Sequence, residues 1–175
     1  MTTRAHHSVT ARAASLTASV LLAATGLLAT SGAAHAEPNA ARSALSTGET
    51  LSPGASLNSG DTRLVMQHDG DLALYTTGTG GTDPQLRWHS GTTGEGNRAV
   101  MQDNGNLVVT TQDGKSLWES HTDSKDCLHL PVTKVTVGSG GDMSILTMPD
   151  SEAPYVIRLW SSSLGLQFPC GSTAR

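Results

Sequence analysis

The sequence repeats itself. Met66-Gln67-His68-Asp69-Gly70-Asp71-Leu72-Ala73-Leu74-Tyr75 returns as Met101-Gln102-Asp103-Asn104-Gly105-Asn106-Leu107-Val108-Val109-Thr110. It returns again, eroded, as Val137-Gly138-Ser139-Gly140-Gly141-Asp142-Met143-Ser144-Ile145-Leu146. Gly70, Gly105 and Gly141 stand 35 and 36 residues apart. A fixed period of this size predicts one supersecondary unit used three times around a shared core, because one such unit cannot bury its apolar face alone.

Each copy carries a hairpin signal, an Asp-Gly or Asn-Gly type turn between short runs of alternating apolar and polar residues. Strand side chains alternate between faces. Leu64, Met66, Leu72 and Leu74 are therefore predicted to line the core, with Gln67, Asp69, Asp71, Ala73 and Tyr75 on the outer face. From Gly48 onward Leu, Val, Thr and Ile fill the periodic positions, turns are rich in Gly, Asn, Asp and Ser, and no window holds a helical period. The predicted class is all-β.

Every hairpin is followed by a Trp-x-Ser: Trp88-His89-Ser90, Trp118-Glu119-Ser120 and Trp160-Ser161-Ser162. Equivalent placement in all three copies predicts that the Trp side chains pack together in the core rather than stack on a ligand. Upstream lies Gly48-Glu49-Thr50-Leu51-Ser52-Pro53-Gly54. Together, from about residue 48 to 162, these parts resemble the bulb-type (monocot) mannose-binding lectins, in that family's order. The first copy resembles the family's motif of Gln, Asp, Asn, Val and Tyr at every second position. The resemblance implies a β-prism II of three four-stranded sheets with pseudo-threefold symmetry. Periodicity alone would equally suit a small barrel or trefoil.

In that family Asp and Asn bind the axial 2-hydroxyl of mannose, Gln the 3-hydroxyl and Tyr the 4-hydroxyl, while Val touches the ring carbons. The alternate spacing places all five on one face. The resemblance thus implies a first carbohydrate site at Gln67, Asp69, Asp71, Ala73 and Tyr75. Two slots depart from the motif. Asp71 replaces Asn and offers no N–H donor, and beside Asp69 it is expected to repel a second carboxylate. Ala73 replaces Val and offers the ring less surface. A second, weaker site is implied at Gln102, Asn104, Asn106, Val108 and Thr110, where the short Thr110 hydroxyl stands in for the Tyr phenol. The third copy has Gly138, Gly140, Asp142, Ser144 and Leu146 in these slots and is expected to be structural.

The flanks read differently. Residues 1–36 have the form of an export signal: Arg4 and Arg12, a small apolar run from Ala13 to Leu28, then Ala34-His35-Ala36 as a cleavage pattern. Residues 37–47 read as a linker and 163–175 as an irregular tail. The chain is expected to be secreted and extracellular, a bacterial-type member of the family it resembles. The leader holds two Arg and no acid, so the net charge of −4 becomes −6 once it is removed. An acidic protein with no basic stripe is a poor candidate for nucleic acid, and no second apolar run suggests embedding in a membrane. Cys127 and Cys170 are the only cysteines, and in an exported chain they are expected to pair. Family members exchange C-terminal strands between subunits, which leaves a homodimer open here, although the match ends before the tail.

His89, His121 and His129 lack metal-ligand spacing. A Ca²⁺ site at Asp69 and Asp71 would need more oxygen ligands than the hairpin supplies. No cofactor is called for, and no nucleophile with its base or catalytic carboxylate pair is visible. The leading expectation is a non-enzymatic protein that binds mannose or mannose-containing glycans. The alternative is a protein-interaction or toxin-like module on the same prism that has lost most sugar binding.

Overall fold

The computed structural model describes residues 42–78, 83–167 and 170. The predicted leader and residues 37–41 of the predicted linker lie outside the described residues. The described chain is strands and turns without a helix. Its strands are β1 (Ala44–Ser46), β2 (Thr50–Leu51), β3 (Ser56–Ser59), β4 (Thr62–Met66), β5 (Leu72–Thr76), β6 (Gln85–His89), β7 (Arg98–Met101), β8 (Leu107–Thr110), β9 (Ser116–Glu119), β10 (Val132–Gly138), β11 (Asp142–Met148), β12 (Ile157–Ser161) and β13 (Gly165–Leu166).

They form three antiparallel sheets, ordered β3-β4-β5-β6, β2-β7-β8-β9 and β1-β10-β11-β12-β13. Each repeat supplies the last three strands of a four-strand set. The fourth comes from the opening stretch, which gives one strand to each sheet in turn: β1 to the third, β2 to the second, β3 to the first. This stretch ties the three repeats together as one unit.

Two expectations are corrected here. Ala44–Ser46 falls in the predicted linker but pairs with β10 along Thr136–Lys134. A strand of three residues with one buried side chain, Leu45, is too short to show a period. In the tail, Gly165–Leu166 pairs with β12 and gives the third sheet a fifth strand.

The hairpins close where the repeat predicted, at Met66↔Leu72, Met101↔Leu107 and Gly138↔Asp142. Each also carries a register shift at one equivalent point, after Leu74, Val109 and Ile145. These three residues are the register partners of Trp88, Trp118 and Trp160. The indoles meet one another edge-on, with centroids 5.2, 5.5 and 5.7 Å apart. Each such contact is worth about 1 kcal/mol beyond area burial. Leu64, Met66, Leu72 and Leu74 are buried around them, as strand parity predicted, and Met101, Leu107, Val109, Met143 and Ile145 are buried with them.

The turns interlock in a ring. Gly70 of the first repeat lies against Gly94 and Asn97, which lead into the second. Gly105 of the second lies against His129 and Thr133 of the third. Gly141 of the third lies against Thr76 and Arg87 of the first, and its N–H donates to Thr62 Oγ1 at 2.8 Å. Every repeat thus caps the turn of another.

Candidate functional site

On β4 the residues that alternate with the buried Thr62, Leu64 and Met66 point outward, so Arg63 and Val65 share a face with Gln67 beyond the strand end. On β5 the register sets Tyr75 opposite Arg63 and Ala73 opposite Val65. Gln67 and Tyr75 therefore stand on either side of the Val65–Ala73 row. Across it Gln67 Nε2 donates to Tyr75 Oη at 3.2 Å. Asn58, Arg63, Val65, Gln67, His68 and Tyr75 line a groove of about 630 Å³ on this face.

The predicted first-site residues separate into three groups. Gln67 and Tyr75 are brought together and line the groove. Asp69 is exposed at the turn, its Oδ1 accepting the Asp71 N–H at 3.2 Å. Ala73 is fully buried between its neighbours, so its methyl offers no surface to a sugar ring. The residues that sequence reasoning passed over are Asn58, Arg63 and His68. The first two were legible by the parity that places Gln67 outside, had that count been extended upstream to β3 and β4.

Asp71 works inward. Its Oδ1 accepts Ser90 Oγ at 2.8 Å, the Gly91 N–H at 2.9 Å and the Thr92 N–H at 3.3 Å. Its Oδ2 meets His89 Nδ1 at 2.8 Å. Ser90 Oγ in turn accepts the Leu72 N–H at 3.1 Å. The other repeats build the same clamp. Asn106 Oδ1 accepts Ser120 Oγ at 2.8 Å, and that oxygen accepts the Leu107 N–H. Asp142 Oδ1 accepts Ser162 Oγ at 2.9 Å, and that oxygen accepts the Met143 N–H. The Ser of every Trp-x-Ser therefore fastens its strand to the third polar slot of its hairpin. The expected Asp69–Asp71 repulsion is met by these donors around Asp71.

This geometry sets an expected result. Asp71→Ala removes all four contacts and should destabilise the fold by about 2–3 kcal/mol, since each net bond contributes about 0.5–1.5 kcal/mol. Asp71→Asn keeps the Oδ1 acceptor and turns an N–H toward His89, which accepts as its other tautomer. It should cost less than about 1 kcal/mol. Urea unfolding of the two variants checks this, and equal costs would show that charge rather than acceptor geometry holds the clamp.

The second copy is more closed. Asn106, Val108 and Thr110 are buried, and Gln102 is half-buried. Asn106 Nδ2 donates to Glu119 Oε2 at 3.1 Å. The bond from Ser116 Oγ, joined by Asn106 and His121, holds the Glu119 carboxyl below the usual carboxylate range despite partial burial. Asn104 Oδ1 accepts the Asn106 N–H, and its Nδ2 donates to Asp123 at 3.4 Å. Thr110 Oγ1 is buried and lacks a partner among the described residues. In the third copy Asp142 holds Ser144, Ser162 and Ser163, yet the outer face keeps a groove of about 470 Å³ that includes Ser144, Leu146, Arg158 and Gln167.

No protein-family profile matches the chain. Over 82 residues it is 34% identical to mannose-specific lectin TAR1 of Colocasia esculenta, a match covering 46% of this chain and 32% of that protein. It therefore spans about a third of the length of the first curated relatives it matches. Over 78 residues it is 34% identical to a mannose-specific lectin of Aloe arborescens, covering 45% of this chain and 68% of that one. Among solved structures, a lectin of Allium sativum superimposes with a TM-score of 0.52 at 30% identity, over 64% of this chain and 99% of that chain.

Proposed function

The chain belongs to the bulb-type (monocot) mannose-binding lectin family, and we propose that it binds mannose or a mannose-containing glycan, without catalysis, on the outer face of its first sheet. The observation that carries this reading is the Gln67–Tyr75 pair held over the Val65–Ala73 row inside a groove of sugar size. An amide and a phenol offer two donors and two acceptors to vicinal hydroxyls. They are held in place by the strand register before any ligand arrives. Asp69 supplies a free carboxylate oxygen at the turn, and Asp71 keeps the hairpin in position rather than addressing the sugar directly.

The site is small and open. A handful of sugar hydrogen bonds at about 0.5–1.5 kcal/mol each, less association costs, gives a dissociation constant on the order of 1 mM. Tyr75→Phe keeps the ring and removes one hydroxyl, which also frees Gln67 to turn away. Calorimetry with methyl-α-mannoside should show affinity falling roughly fivefold, about 1 kcal/mol, with an unchanged unfolding midpoint. Unaltered binding in this variant would place the sugar elsewhere.

A further inference from the structure

Each repeat sets one basic side chain at the same point. Arg63, Arg98 and Lys134 follow one another at 35 and 36 residues, the repeat's own spacings. In the ladders they are the direct partners of Tyr75, Thr110 and Leu146, the fifth slot of each outer face. The fifth slot itself changes from phenol to hydroxyl to alkyl, and the first slot from Gln to Gly. The cation stays through all three copies.

The fold makes no visible use of it. All three side chains are exposed or half-buried. Among the described residues none of them has a carboxylate within ion-pair distance. In the third sheet Arg158 flanks Leu146 from β12, so Lys134, Leu146 and Arg158 form one row across three strands. Cations gathered on these faces run against the chain's net charge of −4. In the first groove the one carboxylate among the lining residues is Asp61, beside Arg63, His68 and Tyr75. That carboxylate accepts the Gly140 N–H at 3.0 Å, the main reason its pKa lies below the ordinary value, and Thr62 Oγ1 at 3.1 Å. It is turned to the third repeat's turn. Asp69 and Asp71 of the same repeat sit at the hairpin turn, the latter against His89.

We propose that these faces take an anionic saccharide. On the first face it is a mannose unit bearing a phosphate or a carboxylate, with its acid group on the Arg63 guanidinium beside Tyr75. This rests on the mannose reading above and adds the charge of the ligand to it. A guanidinium matches either acid group with paired N–H donors.

Calorimetry on the full chain separates the possibilities, with methyl-α-mannoside, mannose 6-phosphate, mannuronate and glucose 6-phosphate at low and high ionic strength. At low ionic strength one of the two charged mannose probes should bind at least roughly tenfold tighter than methyl-α-mannoside, as one added charge-assisted bond gives. Salt should erode that advantage. Which probe wins identifies phosphate or carboxylate. In Arg63→Gln the ratio of charged to neutral affinity should fall to about one, the guanidinium contact having gone. A ratio near one in the native chain, or a ratio that survives Arg63→Gln, overturns the inference and leaves the mannose reading intact. Glucose 6-phosphate binding as well as mannose 6-phosphate overturns both, as does the absence of binding by any probe.

Discussion

Gly70→Ala should destabilise the protein by about 3–4 kcal/mol, a large effect for the addition of one methyl group. Gly70 has φ of +94°, where a side chain is strained by about 1–2 kcal/mol. A Cβ there would stand 2.2 Å from the Gly94 carbonyl oxygen and 2.6 Å from the Gly94 nitrogen. Backbone cannot swing aside as a side chain can, so the second repeat's leading segment must shift. That shift also disturbs Thr92 Oγ1 and Asn97 Nδ2, which donate to the Gly70 carbonyl at 2.7 and 3.1 Å. Such overpacking costs about 1–3 kcal/mol more. Gly114 is the control. It has φ of +89° but nothing within 4 Å of the added Cβ, so Gly114→Ala should show the strain alone, about 1–2 kcal/mol. Urea unfolding midpoints for the two variants test the ring of interlocked turns. Equal costs would mean that the Gly70–Gly94 contact holds nothing together.

That ring explains what could be read from the sequence. The three hairpins, their buried Leu and Met sets and the meeting of the Trp side chains were legible because each is written in a local period. Leu64, Met66, Leu72 and Leu74 needed only strand parity, and Trp88, Trp118 and Trp160 only the repeat. The strand exchange by β1 and β2 was not legible. Ala44–Ser46 and Thr50–Leu51 each bury one leucine, and one leucine has no period. Their sheets are chosen by partners more than 45 residues downstream, where no local signal reaches.

The candidate site was legible in part for a related reason. Spacing placed Gln67 and Tyr75 on one face, and the ladder brings them into contact. Spacing could not say which slots stay open. Ala73, Val108 and Thr110 share that face parity yet are buried, because flanking strands on both sides crowd the middle of a sheet. Nor could it show that Asp71, Asn106 and Asp142 face inward to a serine some twenty residues away or less. Each Trp-x-Ser was visible as a motif, but its serine gained a purpose only when the clamp to the hairpin was seen. Arg63 stands four positions before the first motif residue, outside the span whose spacing carries the signal.

The disulfide should contribute about as much as any single feature of the chain. Cys127 and Cys170 are bonded at a separation of 43 residues, as expected from their count. They join the segment before β10 to the segment after β13, so the bond encloses the whole hairpin region of the third repeat. Closing a loop of that length removes unfolded-state entropy worth about 4 kcal/mol. For a domain of this size the midpoint of thermal unfolding should drop by about 10–15 °C on its loss. Both sulfurs are buried, so reduction alone could act through slow access. The double variant Cys127→Ala/Cys170→Ala removes that ambiguity and should show a drop of the same size. The loss acts on the unfolded chain rather than on the first sheet, whose groove is built from β3 to β5 and the turn after β4. Affinity for methyl-α-mannoside, measured well below the lowered midpoint, should therefore match that of the native chain. A midpoint that barely moves would mean the third repeat is held by its sheet alone. A lost affinity in a folded variant would mean that the first face depends on the third repeat, through the contact of Gly141 with Thr76 and Arg87.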